Sequence, residues 1–142
     1  MISVKDTPFY NDVIKELNYP FANVFLFDGF IVSEINRGVV FSWDDHAELI
    51  AQDIASYYGT YGDDLVYISN RINSYSVVAA DWIKFFKHNY NLKGYAVVGN
   101  SKGSILNTMI ENLFYNKKIQ KFTDLFIAIN WAKNSDLEAA AV

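Results

Sequence analysis

The sequence predicts an α/β domain built on a mixed, mostly parallel sheet of about four to five strands with about four to five flanking helices. Three observations carry this. The segments LeuValTyrIleSer (65–69) and TyrAlaValValGly (95–99) are near-continuous apolar runs, as parallel strands covered on both faces require. The segment between them has helical periodicity, and a right-handed crossover through it sets the two strands side by side. Helical and strand patterns then alternate through the second half of the chain, which is the signature of repeated βα units.

Each element follows from its own residues. Thr7 before Pro8 reads as a cap with proline at the first helical position, and Phe9, Val13 and Leu17 recur every four residues, so 8–17 is expected to be a short N-terminal helix ended by Asn18 and Pro20. PheAlaAsnValPheLeuPhe (21–27) is strand-like, AspGly (28–29) marks a turn or bulge, and PheIleValSerGluIle (30–35) continues as strand. AsnArgGly (36–38) is a tight turn before ValValPheSerTrp (39–43), so 30–43 reads as a hairpin. Ser42 and Asp45 have capping-box-like spacing ahead of a helix over 44–58, whose inward face is Ala47, Ile50, Ile54 and Tyr57.

GlyThrTyrGlyAspAsp (59–64) breaks that helix before the strand at 65–69. A helix over 77–89 turns Ala79, Trp82, Ile83, Phe86 and Tyr90 to one side, with Phe85 off that face and expected to be exposed. After the strand at 95–99, a helix over 102–114 is expected to point Ile105, Met109 and Leu113 inward. Residues 117–122 suit a short edge strand, where Lys117, Lys118 and Lys121 guard against sheet-to-sheet pairing. Thr123 is expected to cap a last helix carrying Leu125, Ile129 and Ala132, and 134–142 reads as a frayed tail. The whole of 1–142 is read as one domain.

Composition bounds the function. Hydrophobic residues are 51% and aromatics 17%, so the core is expected to be rich in Phe and Tyr. With 12 basic and 16 acidic residues the net charge is −4, which argues against binding nucleic acid by phosphate neutralisation. The absence of cysteine removes disulfide and thiolate chemistry. The N-terminus shows no basic region followed by an apolar one, and no apolar run approaches the length of a span, so the expected location is cytoplasmic.

Several clusters invite a chemical reading. Gly99-Asn100-Ser101-Lys102-Gly103 matches the Gly-x-Ser-x-Gly nucleophile elbow and lies between a strand and a helix. Hydrolases of that type place an acid and then a histidine after the serine, whereas His46 and His88 both precede it, so a serine hydrolase at Ser101 is a remote alternative. The bland reading is a tight strand-to-helix turn. The same turn, through Asn100, Ser101 and Lys102, could hold an anion at a helix start, although it lacks the nucleotide P-loop pattern. Asp44, Asp45, His46 and Glu48 sit at a helix start, where acids are favoured by the helix dipole, and no metal site is read.

The richest stretch is the strand–loop–helix at 65–90. Its loop gathers Arg71, Asn73, Ser74, Tyr75 and Ser76, which are the candidate partner-binding or anion-binding residues. The structural reading is that Ser74 or Ser76 caps the helix at 77–89. The functional reading is an anion-binding or phosphorylatable serine at a helix start.

Three segments carry a resemblance across roughly residues 22–133. They are ValPheLeuPheAspGlyPheIleValSerGluIle, the strand at 65–69 with its serine loop, and LeuLysGlyTyrAlaValValGly. The closing PheThrAspLeuPheIleAlaIleAsnTrpAla adds an alanine before a tryptophan. In this order they resemble the STAS domains of anti-sigma-factor antagonists and sulphate transporters, above all the SpoIIAA-like branch, which is related in fold to CRAL-TRIO lipid carriers. The resemblance implies a non-enzymatic regulatory or binding domain without a cofactor. In the antagonists a serine at the start of the helix after the third strand is phosphorylated. Ser74 and Ser76 fall in that region, with Asn73 in place of the acid and Tyr75 between the serines.

The leading expectation is therefore a protein-binding domain that contacts its partner through 70–76 and the following helix, with a homodimer left open. The alternative is a carrier of a small apolar or anionic ligand, or of a lipid, in an aromatic pocket near Tyr75, Trp82 and Phe86.

Overall fold

The computed structural model describes residues 1–134. Two 3-10 turns, Val4–Asp6 and Pro8–Asp12, lead into β1 (Lys15–Tyr19), β2 (Ala22–Leu26) and β3 (Phe30–Ile35). A short β4 (Val40–Phe41) and a π-turn over Trp43–Ala47 precede α1 (Glu48–Tyr58). Then come β5 (Val66–Asn70), β6 (Ser76–Val77), a 3-10 turn at Ala79–Asp81, and α2 (Trp82–Lys87). The chain continues through β7 (Gly94–Val98), α3 (Lys102–Glu111), β8 (Gln120–Phe122) and α4 (Leu125–Lys133).

The main sheet has six strands in the order β1-β2-β3-β5-β7-β8. The pairs β1–β2 and β2–β3 are antiparallel, and β3, β5, β7 and β8 run parallel. The fold is thus mixed and mostly parallel, as the apolar runs indicate. Strands β4 and β6 form a separate two-stranded parallel pair.

The expected helix at 8–17 is replaced by the 3-10 turn and β1. The four-residue spacing there serves two surfaces rather than one helix face. Phe9 and Val13 pack with Val4 and Phe25 on one side of the sheet, whereas Leu17 packs with Val24 and Leu26 on the other. Pro20 lies in the turn between β1 and β2 and does not end a helix. The hairpin also falls one strand earlier than expected. Asp28-Gly29 joins β2 to β3, with Gly29 at φ +81°, which suits the Asp-Gly hairpin turn. The segment after Gly38 does not return along β3; it pairs with Ser76–Val77 instead.

Period-two alternation sorts the sheet into two layers. Phe30, Val32, Val66, Ile68, Ala96 and Val98 face α4, whose Leu125, Ala128, Ile129 and Ala132 are buried against them. Asp124, rather than Thr123, caps α4 by accepting from the Phe126 amide at 2.8 Å. Glu34, on this same side, pins the N-terminal segment by accepting from Ser3 Oγ, the Val4 amide and Asn70 Nδ2 at 2.6–2.9 Å. The tail over 135–142 lies outside the described residues.

The other layer carries α1 and α2. Ile50 and Ile54 of α1 pack on it, but Tyr57 is exposed, and Tyr58 points inward with its hydroxyl donating to the Phe27 carbonyl. In α2 the roles of neighbours are likewise exchanged: Phe85 packs with Trp82 and Phe86, whereas Ile83 is exposed. The helix expected over 77–89 is only its second half, because Ser76 and Val77 are held in the pair with β4. Consequently neither Ser74 nor Ser76 caps it. The largest reversal is α3. Ile105, Met109 and Leu113 are 49%, 55% and 79% exposed, and the buried positions are Thr108 and Glu111. The helix turns its polar stripe to the protein because that stripe meets a buried arginine.

Candidate functional site

The inner face of the central strands is where the site forms. The parallel register places Ile31, Tyr67 and Tyr95 in one row and Ser33, Ser69 and Val97 in the next. One step beyond Ser69, Arg71 continues the same face. Tyr67 and Tyr95 stack with centroids 5.3 Å apart and planes 10° apart. Ser33 Oγ and the Tyr67 hydroxyl are 2.6 Å apart, and Ser69 Oγ and the Tyr75 hydroxyl 2.8 Å.

Arg71 lies under this lattice. Its Nη2 donates to Glu111 Oε2 at 2.5 Å and to the Tyr95 hydroxyl at 2.9 Å, and its Nε donates to Ser69 Oγ at 3.2 Å. The Tyr75 ring covers the guanidinium, with Cζ 5.6 Å from the centroid. Glu111 accepts from two further donors on its other oxygen, the Tyr95 hydroxyl at 2.8 Å and Trp82 Nε1 at 3.2 Å. Both charged side chains are removed from water, with 4% and 1% of their areas exposed. Such a pair is tolerable because charge is matched and the remaining donors and acceptors are used. One group is left over: Arg71 Nη1 is buried and has no hydrogen-bond partner among the described residues.

These groups end a pocket of about 120 Å³ between the sheet, α1 and α2. Its walls are mainly apolar and rich in aromatic rings, Trp43, Tyr75, Trp82, Phe85 and Tyr95 among them. Space is made by Ala47 at the N-cap of α1 and by Ala51 and Ala55 within it, spaced four residues apart, which all line the pocket. The buried Arg71, Tyr95 and Glu111 close its deep end, and the exposed Tyr61 and Val78 belong to its outer side.

Electrostatics fit this arrangement. Burial opposes the charge on Arg71, but Tyr95, Tyr75 and Glu111 outweigh it and hold the guanidinium well above its usual pKa. Burial pushes the Tyr95 hydroxyl well above the ordinary phenol value, and the Glu111 charge adds to this. Tyr75 and Tyr67 are raised by burial as well. The site therefore keeps its hydroxyls protonated as donors at neutral pH.

The structure distributes the loop residues to two sides. Arg71 and Tyr75 line the pocket, whereas Ser74 and Ser76 are exposed. Asn73 anchors the loop by donating from Nδ2 to the Ile35 carbonyl at 3.0 Å. The Ser76 amide is held by the Val39 carbonyl, and the Ser74 carbonyl accepts from the Gly38 amide.

The second set, Asn100, Ser101 and Lys102, lies elsewhere. Ser101 Oγ accepts from the Ser104 amide at 3.1 Å, so this serine caps α3. Neither histidine is among its contacts: His46 accepts from the Ser42 amide and packs on Phe21 and Phe41, and His88 lies against Trp43. Gly99 packs closely against α3, and a Cβ there would force the Ser104 side chain to shift. Asp44 pairs with Lys84 at 3.2 Å, and Glu48 accepts from Trp43 Nε1. No group of three or more potential metal ligands converges among the described residues.

No motif in the sequence marks Glu111, Tyr95 or Tyr67 as a site residue. The signal for Glu111 was present as Ser104, Asn107, Thr108 and Glu111, a polar stripe at helical spacing. Set beside an apolar stripe, it reads as the solvent side.

A crystal structure of an uncharacterised DUF3478-family protein from Shewanella loihica PV-4, described as having a SpoIIAA-like fold, superposes on this chain with a TM-score of 0.53. The match covers 83% of this chain and 90% of that one. The fold is SpoIIAA-like. At 15% identity the likeness extends to the SpoIIAA-like architecture alone. No protein-family model matches the sequence, and no curated protein matches it significantly. No helix among the described residues is long and apolar enough to cross a membrane.

Proposed function

We propose that the chain is a non-enzymatic binding domain of SpoIIAA-like fold whose working part is the aromatic pocket over β5 and β7. The observation that carries this reading is the pocket itself: about 120 Å³ of space, aromatic walls, and a buried Arg71–Glu111 pair at its deep end. Binding sites are mostly apolar concavities with a few placed polar groups. A regulatory role follows from the loop at 71–78. Its inward residues Arg71, Tyr75 and Val77 touch the pocket, and its outward residues Ser74 and Ser76 are exposed. Occupancy of the pocket then alters the surface that a protein partner meets.

Size narrows the ligand. A cavity of about 150 Å³ holds benzene, so this pocket suits a single ring better than a long acyl chain. The carrier reading thus becomes one of a small ring compound rather than a lipid. Catalysis has little support. The one carboxylate in the pocket's deep end is held by three donors, and Ser101 is engaged in capping α3.

The test is native mass spectrometry and thermal-shift screening of single-ring fragments against the wild type and Ala51→Phe, which fills the pocket from α1. Adducts and stabilisation should appear in the wild type and disappear in the variant. Equal stabilisation of both proteins would refute the pocket as the site. Ser74→Asp with Ser76→Asp tests the partner surface: unchanged interactions would refute the loop's role while leaving the pocket reading intact.

A further inference from the structure

Resting on the binding reading above, we propose that the pocket's ligand is a small uncharged ring compound bearing a carbonyl-type acceptor, and that Arg71 Nη1 is the group that recognises it. The ring is indicated by the walls. Tyr67 and Tyr95 stack on each other and Trp82 leans on Tyr95 with centroids 5.0 Å apart, so this wall is built of flat rings. Flat aromatic surfaces favour a flat guest in stacked or edge-on contact.

The acceptor follows from the donor count. The Arg71 guanidinium has five N–H donors. Nε is used on Ser69, and Nη2 on Tyr95 and Glu111. Nη1 belongs to a residue that lines the pocket, has no partner among the described residues and is closed off as the side chains stand, so a ligand oxygen reaches it only by displacing its cover, such as the Tyr75 ring over the guanidinium. A buried donor without an acceptor costs free energy that a ligand oxygen would recover.

The absence of ligand charge follows from Glu111. The positive charge of Arg71 is already matched by a carboxylate at 2.5 Å. A ligand carboxylate would add a second negative charge beside the same guanidinium, and would have to shed its own hydration to enter an apolar pocket. A ketone, amide or ester oxygen accepts the same two N–H groups without either cost. The pocket therefore discriminates by hydrogen bonding against a plain hydrocarbon and by charge against an acid.

The experiment uses three matched probes, toluene, acetophenone and benzoate, titrated into the ¹⁵N-labelled full chain. The Trp82 indole N–H cross-peak is the reporter, because that group donates to Glu111 beside the pocket. Trp131, which packs with Phe122 on the opposite layer, is the internal reference. Acetophenone should bind roughly tenfold or more tightly than either toluene or benzoate, the worth of one hydrogen bond to a charged donor. In Glu111→Gln, which frees the Arg71 charge, benzoate should overtake acetophenone. If toluene matches acetophenone, Nη1 is not the recognising group, although the pocket binds. If benzoate is the tightest ligand of the wild type, the charge argument is wrong. If none of the three moves the Trp82 peak, both this inference and the binding reading fall. The wild-type series decides these points even if Glu111→Gln does not fold.

Discussion

Replacing Glu111 by alanine should be among the most damaging single changes in this protein. The carboxylate accepts from Arg71 Nη2, the Tyr95 hydroxyl and Trp82 Nε1. Alanine strands all three donors, one of them a cation with 4% of its side chain exposed. Losing one partner of a buried ion pair costs about 3–5 kcal/mol. For a domain of this size that is a fall in Tm of roughly 6–20 °C. Equilibrium urea unfolding measures it, and an unchanged slope shows that the denatured state is not the source. The companion variant is Arg71→Met with Glu111→Leu. Removing both charges together should restore most of the loss, since apolar replacements of a buried pair are often neutral. A loss below about 1 kcal/mol in Glu111→Ala would show that the pair contributes no such coupling. A double variant as unstable as the sum of the singles would refute the pairing argument itself.

Three further outcomes are expected. Gly62 has φ +102° and a Cβ there would strike the Asn91 carbonyl oxygen, so Gly62→Ala should destabilise by more than about 1 kcal/mol in thermal or urea unfolding. Ser101→Ala should lose about 1 kcal/mol, the worth of an N-cap, and a fluorophosphonate probe should leave Ser101 of the wild type unlabelled. The buried tyrosines Tyr67, Tyr75 and Tyr95 are raised by desolvation, and Tyr115 is pushed up to about 12 by the same cause. Unfolded tyrosines ionise near pH 10, so their stabilisation is whole below about pH 10 and is lost above it, by about 1.4 kcal/mol per pH unit for each tyrosine. For Tyr115 that loss runs to about pH 12. Tyrosinate absorbance should therefore show the buried set appearing together with loss of circular dichroism; buried tyrosines that titrate independently of unfolding would contradict this.

Much of the frame was readable from periodicity. The parallel strands at 66–70 and 94–98 announced themselves because both faces are covered. The helix expected at the N-terminus does not form because Phe9, Val13 and Leu17 sit on two sides of one sheet, and a spacing of four cannot distinguish that from a helix. Strands β4 and β6 are two residues each and are fixed by pairing with one another across 36 positions, which no local pattern carries. The polar composition of the loop marks Arg71 and Tyr75, but nothing local marks Glu111, the residue with which Arg71 pairs. Hydrophobic patterning assigns the apolar stripe of α3 to the core, and here the polar stripe is the one buried.

That inversion is itself informative about where the protein works. A helix with Ile105, Leu106 and Met109 exposed and Thr108 and Glu111 buried forgoes apolar burial on one face and bears charge desolvation on the other. An apolar α3 would cover the end of the sheet at lower cost, provided Arg71 were apolar too. The Arg71–Glu111 pair therefore makes little sense as a stabilising device alone. It makes sense as a fixed pair of charges that holds Tyr95 and Trp82 in place beside the proposed site. Departures from local rules that carry a cost without an evident structural gain concentrate at functional sites. In this chain the clearest such departure is the buried face of α3, and it leads to the deep end of the pocket.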